Sequence, residues 1–406
     1  MAYSANKMPA TEHKHLPNLD PLRFFAAATV LFYHVDQWLV ANGYKSTYLS
    51  FFPFQHGDIA VVFFFVLSGF LITYLLLKEK KETGAIAVKT FYLKRIFRIW
   101  PLYFLVIILA YSFFNYSPWF HFNGMAGDGG FGKHLLINIL LLILICPNVV
   151  LLGTSSLGYA DPTWSIGVEE QFYLIWPWII RRKNYLTYII ILIVSMYLLS
   201  SGFIGNLLNI GLRHHWLAAD TFLAKVITKV NAFFTFSASF RIDAMGIGAL
   251  GAYFVVNQKS ILQVLYSKTF QVFTYLVFLA IILLPHTVPY QFYSVVFMAI
   301  IVNVATNPGT VIRLASPLLN YFGKISYGIY MYHLFLVIPS IRLVVSVFHL
   351  PVTIASEILI GCLALAFTII VATISYYTLE RIFLRLKSNL TAGKKLKMAI
   401  SQPGLT

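Results

Sequence analysis

Arg23 and His34 are the first residues in this chain from which chemistry can be read. They stand eleven positions apart within Leu19-Asp20-Pro21-Leu22-Arg23 through Tyr33-His34. At roughly 100° per residue a helix returns them to within about 20° of one face, separated by roughly 16 Å along its axis. Phe24 to Leu31 between them carries no charge, so the segment reads as lipid-embedded. Ionisable residues are costly there and usually face a protein interior or a water-filled cavity. An arginine in such a place can hold an anion, and a histidine with a pKa near about 6.5 can take a proton at neutral pH. Taken singly, Arg23 also reads as a snorkelling, orientation-setting residue and His34 as a satisfied core histidine. Both on one stripe are harder to dismiss.

Four further groups carry polar chemistry. Lys94-Arg95-Ile96-Phe97-Arg98 stands where a third span is expected to leave the cytoplasm, with Arg95 and Arg98 at i, i+3 on one side of a helix. Its lysines read as a topogenic anchor, its arginines as a bidentate phosphate clamp. Asp161-Pro162-Thr163-Trp164-Ser165 through Val168-Glu169-Glu170-Gln171 opens a later span. Ser165 and Glu169 there lie one turn apart, so hydroxyl and carboxylate share a face at the outer membrane edge. Helix capping by Ser165 is the competing role. Arg241 and Asp243 form an intramembrane ionic group that reads as structural, and Ser326-Tyr327 through Tyr332-His333 buries a second histidine. Phe63 to Phe70 reads as tight helix packing around Ser68 and Gly69.

Composition fixes the elements that must position these residues. Hydrophobic residues make up 59% of the chain and charged residues 11%, with a mean hydropathy of +0.77. That is an all-α polytopic membrane protein and not a soluble enzyme. The net charge of +16 comes from basic residues clustered in short loops between apolar runs. That pattern follows the positive-inside rule and implies membrane lipids and an anionic cofactor as partners, not nucleic acid. No removable signal peptide is expected in the polar first twenty residues. Cys146 and Cys362 lie in apolar runs and are expected to be buried free thiols, with no metal site.

About ten transmembrane helices are expected, near 22–40, 57–77, 98–115, 165–180, 185–204, 231–256, 269–285, 290–306, 318–338 and 352–378. One run, His134 to Ile145, breaks at Cys146-Pro147-Asn148. It is too short to cross a core of about 30 Å and reads as a re-entrant or half-length element. Both termini are then cytoplasmic, and Arg181-Arg182-Lys183 falls inside, as most of the other basic residues do. Residues 1–387 form a single membrane-embedded domain, followed by a basic cytoplasmic tail over 388–406. Residues 124–132 read as a flexible Gly-rich loop and about 205–230 as the longest outer loop.

Taken in order, these segments resemble the acyltransferase-3 family of integral-membrane O-acyltransferases. The resemblance runs from Asp20 to about Lys387. It rests on Arg23 with ten residues to His34, FFFVLSGFLIT from Phe63, and Arg95-x-x-Arg98 before Ile99-Trp100-Pro101. It continues through WSIGVEEQFYL from Trp164, FRIDAMGIGAL from Phe240, FGKISYGIYMYH from Phe322 and SYYTLERIFLRL from Ser375. Val62 stands where many members carry an acidic residue. The chain ends at Thr406 without the extracytoplasmic hydrolase-like domain of longer members. Acceptor capture is therefore expected to fall to the membrane domain or to a separate extracytoplasmic partner protein.

The resemblance implies transfer of an acyl group, most often acetyl, from cytoplasmic acyl-CoA to a hydroxyl of an extracytoplasmic or lipid-linked glycan in the cytoplasmic membrane. His34 is then the general base, and Arg23, Arg95 and Arg98 hold the CoA phosphates. Ser165 and Glu169 bind the acceptor or orient the base, and His333 is a second polar contact near the centre. Two other classes fit a polytopic chain with buried ionic residues. One is a lipid-linked glycan polymerase or ligase, though the longest outer loop carries only Arg213, Lys225 and Lys229. The other is a transporter without chemistry.

Overall fold

A computed structural model describes residues 16, 18–45, 57–117, 120, 135–151, 156–203, 222–283 and 288–386. Every regular element among them is a helix. The Gly-rich stretch 124–132, Arg213 and the basic tail lie outside the described residues. The chain begins with α1 (Leu19–Ala41), α2 (Gly57–Thr83) and α3 (Val88–Leu109), the last running on through a π-helical turn, Ala110–Phe114. Two short helices follow, α4 (Leu135–Ile143) and α5 (Pro147–Val150), then α6 (Thr163–Arg181) and α7 (Tyr185–Ser200). The second half comprises α8 (Phe222–Ser239), α9 (Ile242–Asn257), α10 (Lys259–Tyr266), α11 (Lys268–Leu283) and α12 (Tyr290–Thr306). It closes with α13 (Pro317–Lys324), α14 (Ser326–Arg342) and α15 (Ile354–Ser375).

Backbones approach most closely where α2 crosses α9. Gly69 lies against the main-chain carbonyl of Met245, and Gly248 against that of Val66. A Cβ at either position would collide with backbone, so the two glycines set the crossing distance. Helix α1 is held between α2, α14 and α15, with Gly323 at the end of α13 against the main chain of Asp20. Near their common end, Lys80 of α2 donates to the carbonyls of Ile180 (2.9 Å), Arg181 (3.3 Å) and Arg182 (3.0 Å). A lysine thus caps the C-terminus of α6, where the helix dipole favours a cation. It also puts the basic ends of α2 and α6 at one level.

The structure confirms the helical class but not the number of spans. Among the described residues five helices are long and apolar enough to cross a membrane: Leu19–Ala41, Gly57–Thr83, Val88–Phe114, Ser326–Val347 and Ile354–Leu386. A bent pair, Ser260–Tyr266 and Lys268–Leu283 at 61°, would make six. Helices α7, α9 and α12 are apolar but have 16, 16 and 17 residues. At about 1.5 Å per residue they fall short of a core of about 30 Å. Helix α6 carries Glu169, Glu170 and Gln171 at its middle, which lowers its hydropathy.

Two expected spans are divided. The run 231–256 is broken between α8 and α9 at Arg241, whose φ of 53° is left-handed and ends the helical path. The same break puts Lys225 and Lys229 on α8 instead of in an open loop. The run 318–338 is interrupted at Ile325, between α13 and α14. The break at Cys146-Pro147 lies where the sequence puts it, with α4 only nine residues long and Pro147 opening α5. Both cysteines are free, but Cys146 is half-buried and Cys362 exposed. Cys362 lies on an outward face of α15, so its apolar setting is the helix surface and not the core.

Candidate active site

Helices α1 and α14 bring the two histidines together across 299 residues of sequence. His333 Nε2 lies 3.3 Å from His34 Nδ1, with ring centroids 4.8 Å apart. His34 Nδ1 is also 2.8 Å from the Val30 carbonyl, and His333 Nδ1 is 2.6 Å from the Tyr330 carbonyl. A carbonyl only accepts, so each Nδ1 carries the hydrogen and each Nε2 is bare. The His34 Nδ1–H is thereby shared between Val30 and His333, and His34 Nε2 keeps its lone pair. A proton arriving there would leave a positive ring still bonded to a bare nitrogen of His333. That is the arrangement of a base oriented by a second group.

Two sets of polar contacts lie along α6 beyond His333. The Tyr330 hydroxyl lies 2.8 Å from Ser165 Oγ, which itself donates to the Pro162 carbonyl at 3.2 Å. One turn along α6, Glu169 accepts from Ser68 at 3.3 Å and from Tyr173, and the Ser68 and Tyr173 hydroxyls also meet. The Arg95 guanidinium lies over Tyr173 at 5.6 Å and Phe91 at 5.7 Å. Its buried Nε has no hydrogen-bond partner among the described residues. Trp100 donates to Glu170 at 3.1 Å. Arg23 pairs with Asp20 three residues away, and the charges of Arg98 and Arg95 both act on it. Three arginines thus lie within electrostatic reach of one another, and two histidines meet beside Tyr330.

A family model described as an acyltransferase domain matches residues 16–377. The chain belongs to that acyltransferase family. Among its relatives is the peptidoglycan O-acetyltransferase OatA of Listeria monocytogenes, 32% identical over 40% of this chain and 24% of that protein. The putative O-acetyltransferase SACOL0978 of Staphylococcus aureus is 26% identical over 91% of this chain and 57% of its own length. The putative peptidoglycan O-acetyltransferase YrhL of Bacillus subtilis is 30% identical over 47% of this chain and 25% of its own. The chain therefore spans little more than half, or less, of these relatives. No solved structure matches it.

Within this chain the expected residues fall into three groups. Arg23, Arg95 and Arg98 come together, as do His34 and His333. Arg95 lies two turns inside α3 and not at its mouth, because that helix begins at Val88. Ser165 and Glu169 share α6 but serve separate partners, Tyr330 and Tyr173. Ser165 is not a cap either: α6 begins at Thr163, and its N-cap, Pro162, makes no side-chain bond.

Arg241 and Asp243 do not form the expected group. Arg241 reaches Asp58, at 3.1 Å to the carboxylate and 2.9 Å to the carbonyl, because its left-handed backbone turns the side chain towards α2. Asp243 instead accepts from Tyr290 at 2.9 Å and Gln291 at 3.0 Å. Ser68 is a polar contact, leaving the close packing to Gly69. Sequence reading missed Tyr330, Tyr173, Ser68 and Asp58. Two of them carried a signal: Tyr173 is one turn from Glu169, and Tyr330 stands three before His333.

Proposed function

We propose that this chain moves an acyl group, acetyl in the first instance, from cytoplasmic acyl-CoA to a hydroxyl of a glycan beyond the membrane. Peptidoglycan is the first acceptor to test, since relatives from Listeria and Bacillus bear that name. The observation that carries the reading is the His34–His333 pair, with His34 Nε2 left to accept a proton. His34 takes the hydroxyl proton as the acceptor oxygen bonds to the thioester carbonyl carbon. The carbon–sulfur bond then breaks and the proton passes to the leaving sulfur, so His34 ends neutral. Arg23, Arg95 and Arg98 hold the donor phosphates, and Ser165 and Glu169 position the acceptor or the base. The buried Arg95 Nε without a partner fits an anionic ligand. The roughly 16 Å between Arg23 and His34 then accommodates the donor's extended arm. The proposed topology has ten crossings, both termini cytoplasmic, and α4–α5 turning back without crossing.

The test is transfer of labelled acetyl from acetyl-CoA to peptidoglycan fragments by the purified full chain in vesicles. His34→Ala is expected to lower turnover by about 10²–10⁴-fold with acetyl-CoA affinity retained. Arg95→Ala is expected to weaken donor affinity more than maximal turnover. Normal acetylation by His34→Ala would overturn the assignment of the base.

A further inference from the structure

The C-terminal motif Ser375-Tyr376-Tyr377-Thr378-Leu379-Glu380 has no part in the mechanism above, yet it delivers a carboxylate into the bundle. Helix α15 runs on through a π-helical turn, Tyr376–Glu380, as far as Leu386. Such turns are rare and recur at functional sites. Glu380 is only 8% exposed, and its Oε1 has no hydrogen-bond partner among the described residues. Glu170 presents the same feature: its Oε2 receives Trp100, while its buried Oε1 is unpartnered. Buried acceptors left in this state are costly and uncommon.

The two carboxylates lie near one side chain. Gly328, the residue after Tyr327, stands beside Glu380 Oε1, and Ile99, to which Tyr327 bonds, precedes the Trp100 that donates to Glu170. The single hydroxyl hydrogen of Tyr327 is already given to the Ile99 carbonyl at 3.0 Å, so it satisfies neither carboxylate. Beside Glu380 the wall is made of small residues: a Cβ at Gly328 would stand 3.0 Å from the Ala372 methyl and 3.5 Å from Glu380 Oε1. The charge of Arg98 acts on Glu380 and that of Arg95 on Glu170. Ser165 lies beyond, five residues before Glu170 on α6. Tyr327 bonds the residue after Arg98 and stands six residues before His333 on α14, so the carboxylates beside it fall between the arginines and the histidine pair.

We propose that Glu380 and Glu170 form a subsite for the amide-bearing arm of the donor, their unpartnered oxygens accepting its N–H groups. This rests on the acyl-CoA reading above and specifies it. A donor anchored by phosphates at the arginines and reacting at His34 must lay its uncharged middle stretch past Tyr327. In coenzyme A that stretch carries amide N–H donors, which a plain hydrocarbon arm would lack.

Three acetyl thioesters test the subsite with the purified full chain: acetyl-CoA, acetyl-pantetheine, and the acetyl thioester of a simple alkyl thiol. Glu380→Met and Glu170→Met are expected to raise KM at least tenfold for the first two donors and to leave the third unchanged. Glu380→Gln keeps an acceptor oxygen without its charge and is expected to raise KM about threefold. Should the Met variants fail to fold, this Gln variant carries the test. Arg95→Ala should instead separate acetyl-CoA from acetyl-pantetheine. Equal changes for all three donors, or an unaltered preference for the amide-bearing ones in Glu380→Gln, would overturn the subsite. If the wild-type chain transfers from neither acetyl-CoA nor acetyl-pantetheine, the donor reading itself falls.

Discussion

At the scale of single residues, the site is organised by which nitrogen holds a hydrogen. The Val30 and Tyr330 carbonyls each fix an Nδ1–H, and that leaves His333 Nε2 to face His34. In the proposed mechanism His333 therefore acts through His34, as a positioning residue. His333→Ala is expected to lower kcat about 10–100-fold while leaving the acetyl-CoA KM within about twofold, since neither ring is placed near the arginines. A larger rise in KM than fall in kcat would place His333 in donor binding instead. Ser165→Ala removes the partner of the Tyr330 hydroxyl and should show a smaller loss in kcat. Arg23 and His34 were legible in the sequence because eleven positions are close to three helical turns. Their partners were not. His333 lies 299 positions away, and no periodicity within one helix encodes which neighbour it will meet. The Asp58–Arg241 contact failed to be read for the same reason. Arg241 looked paired with Asp243 two positions on, yet residues that close along a helix point in different directions.

At the scale of elements, two devices hold the helices that carry these residues. The first is the glycine crossing of α2 and α9. Replacing Gly69 or Gly248 with Leu drives a side chain into a backbone carbonyl, where no rotamer relieves it. A loss of about 1–3 kcal/mol or more is expected, read as a lower Tm or an aggregated product on size-exclusion chromatography. A Gly248→Leu chain as heat-stable as wild type would mean that α9 does not approach α2 so closely. The second is the break at Arg241, where Asp58 ties the start of α9 to the start of α2. Asp58→Ala should cost about 1–2 kcal/mol, less than a fully buried pair, because the Asp58 side chain is 38% exposed. The sequence marked Gly69 by its place in an aromatic run. The division of 231–256 was illegible, because an apolar stretch shows the same hydropathy whether its backbone continues or turns.

At the scale of the whole molecule, the proposed mechanism stands or falls on topology, since it places donor and acceptor on opposite sides of the membrane. Apolar length alone gives five spans, or six with the bent pair, whereas the proposed path needs ten. The difference lies in the short helices α7, α9 and α12 and in the polar-centred α6. The packing bears on α6 directly. Lys80 caps its last carbonyls from the end of α2, and Ser68 meets Glu169 near the middle of both. Helix α6 therefore runs alongside α2 in the same sense, from Ser68 to the basic end of α2. Charge was the one global signal that the sequence offered for this: Arg181-Arg182-Lys183 belongs inside, with Lys78, Lys80 and Lys81. Single cysteines at Lys45, Ser156 and Lys183, with Cys146 and Cys362 replaced by alanine, test the arrangement using a membrane-impermeant thiol reagent on intact cells. Lys45 and Lys183 are exposed positions. Labelling is expected at 45 and 156, with protection at 183 until the cells are opened. Labelling at 183 with protection at 156 would mean that α4–α5 crosses fully. Helix α6 would then run outward while α2 runs inward, against the alignment of Ser68 with Glu169. The route from the arginines to an outer acceptor at His34 would be lost with it.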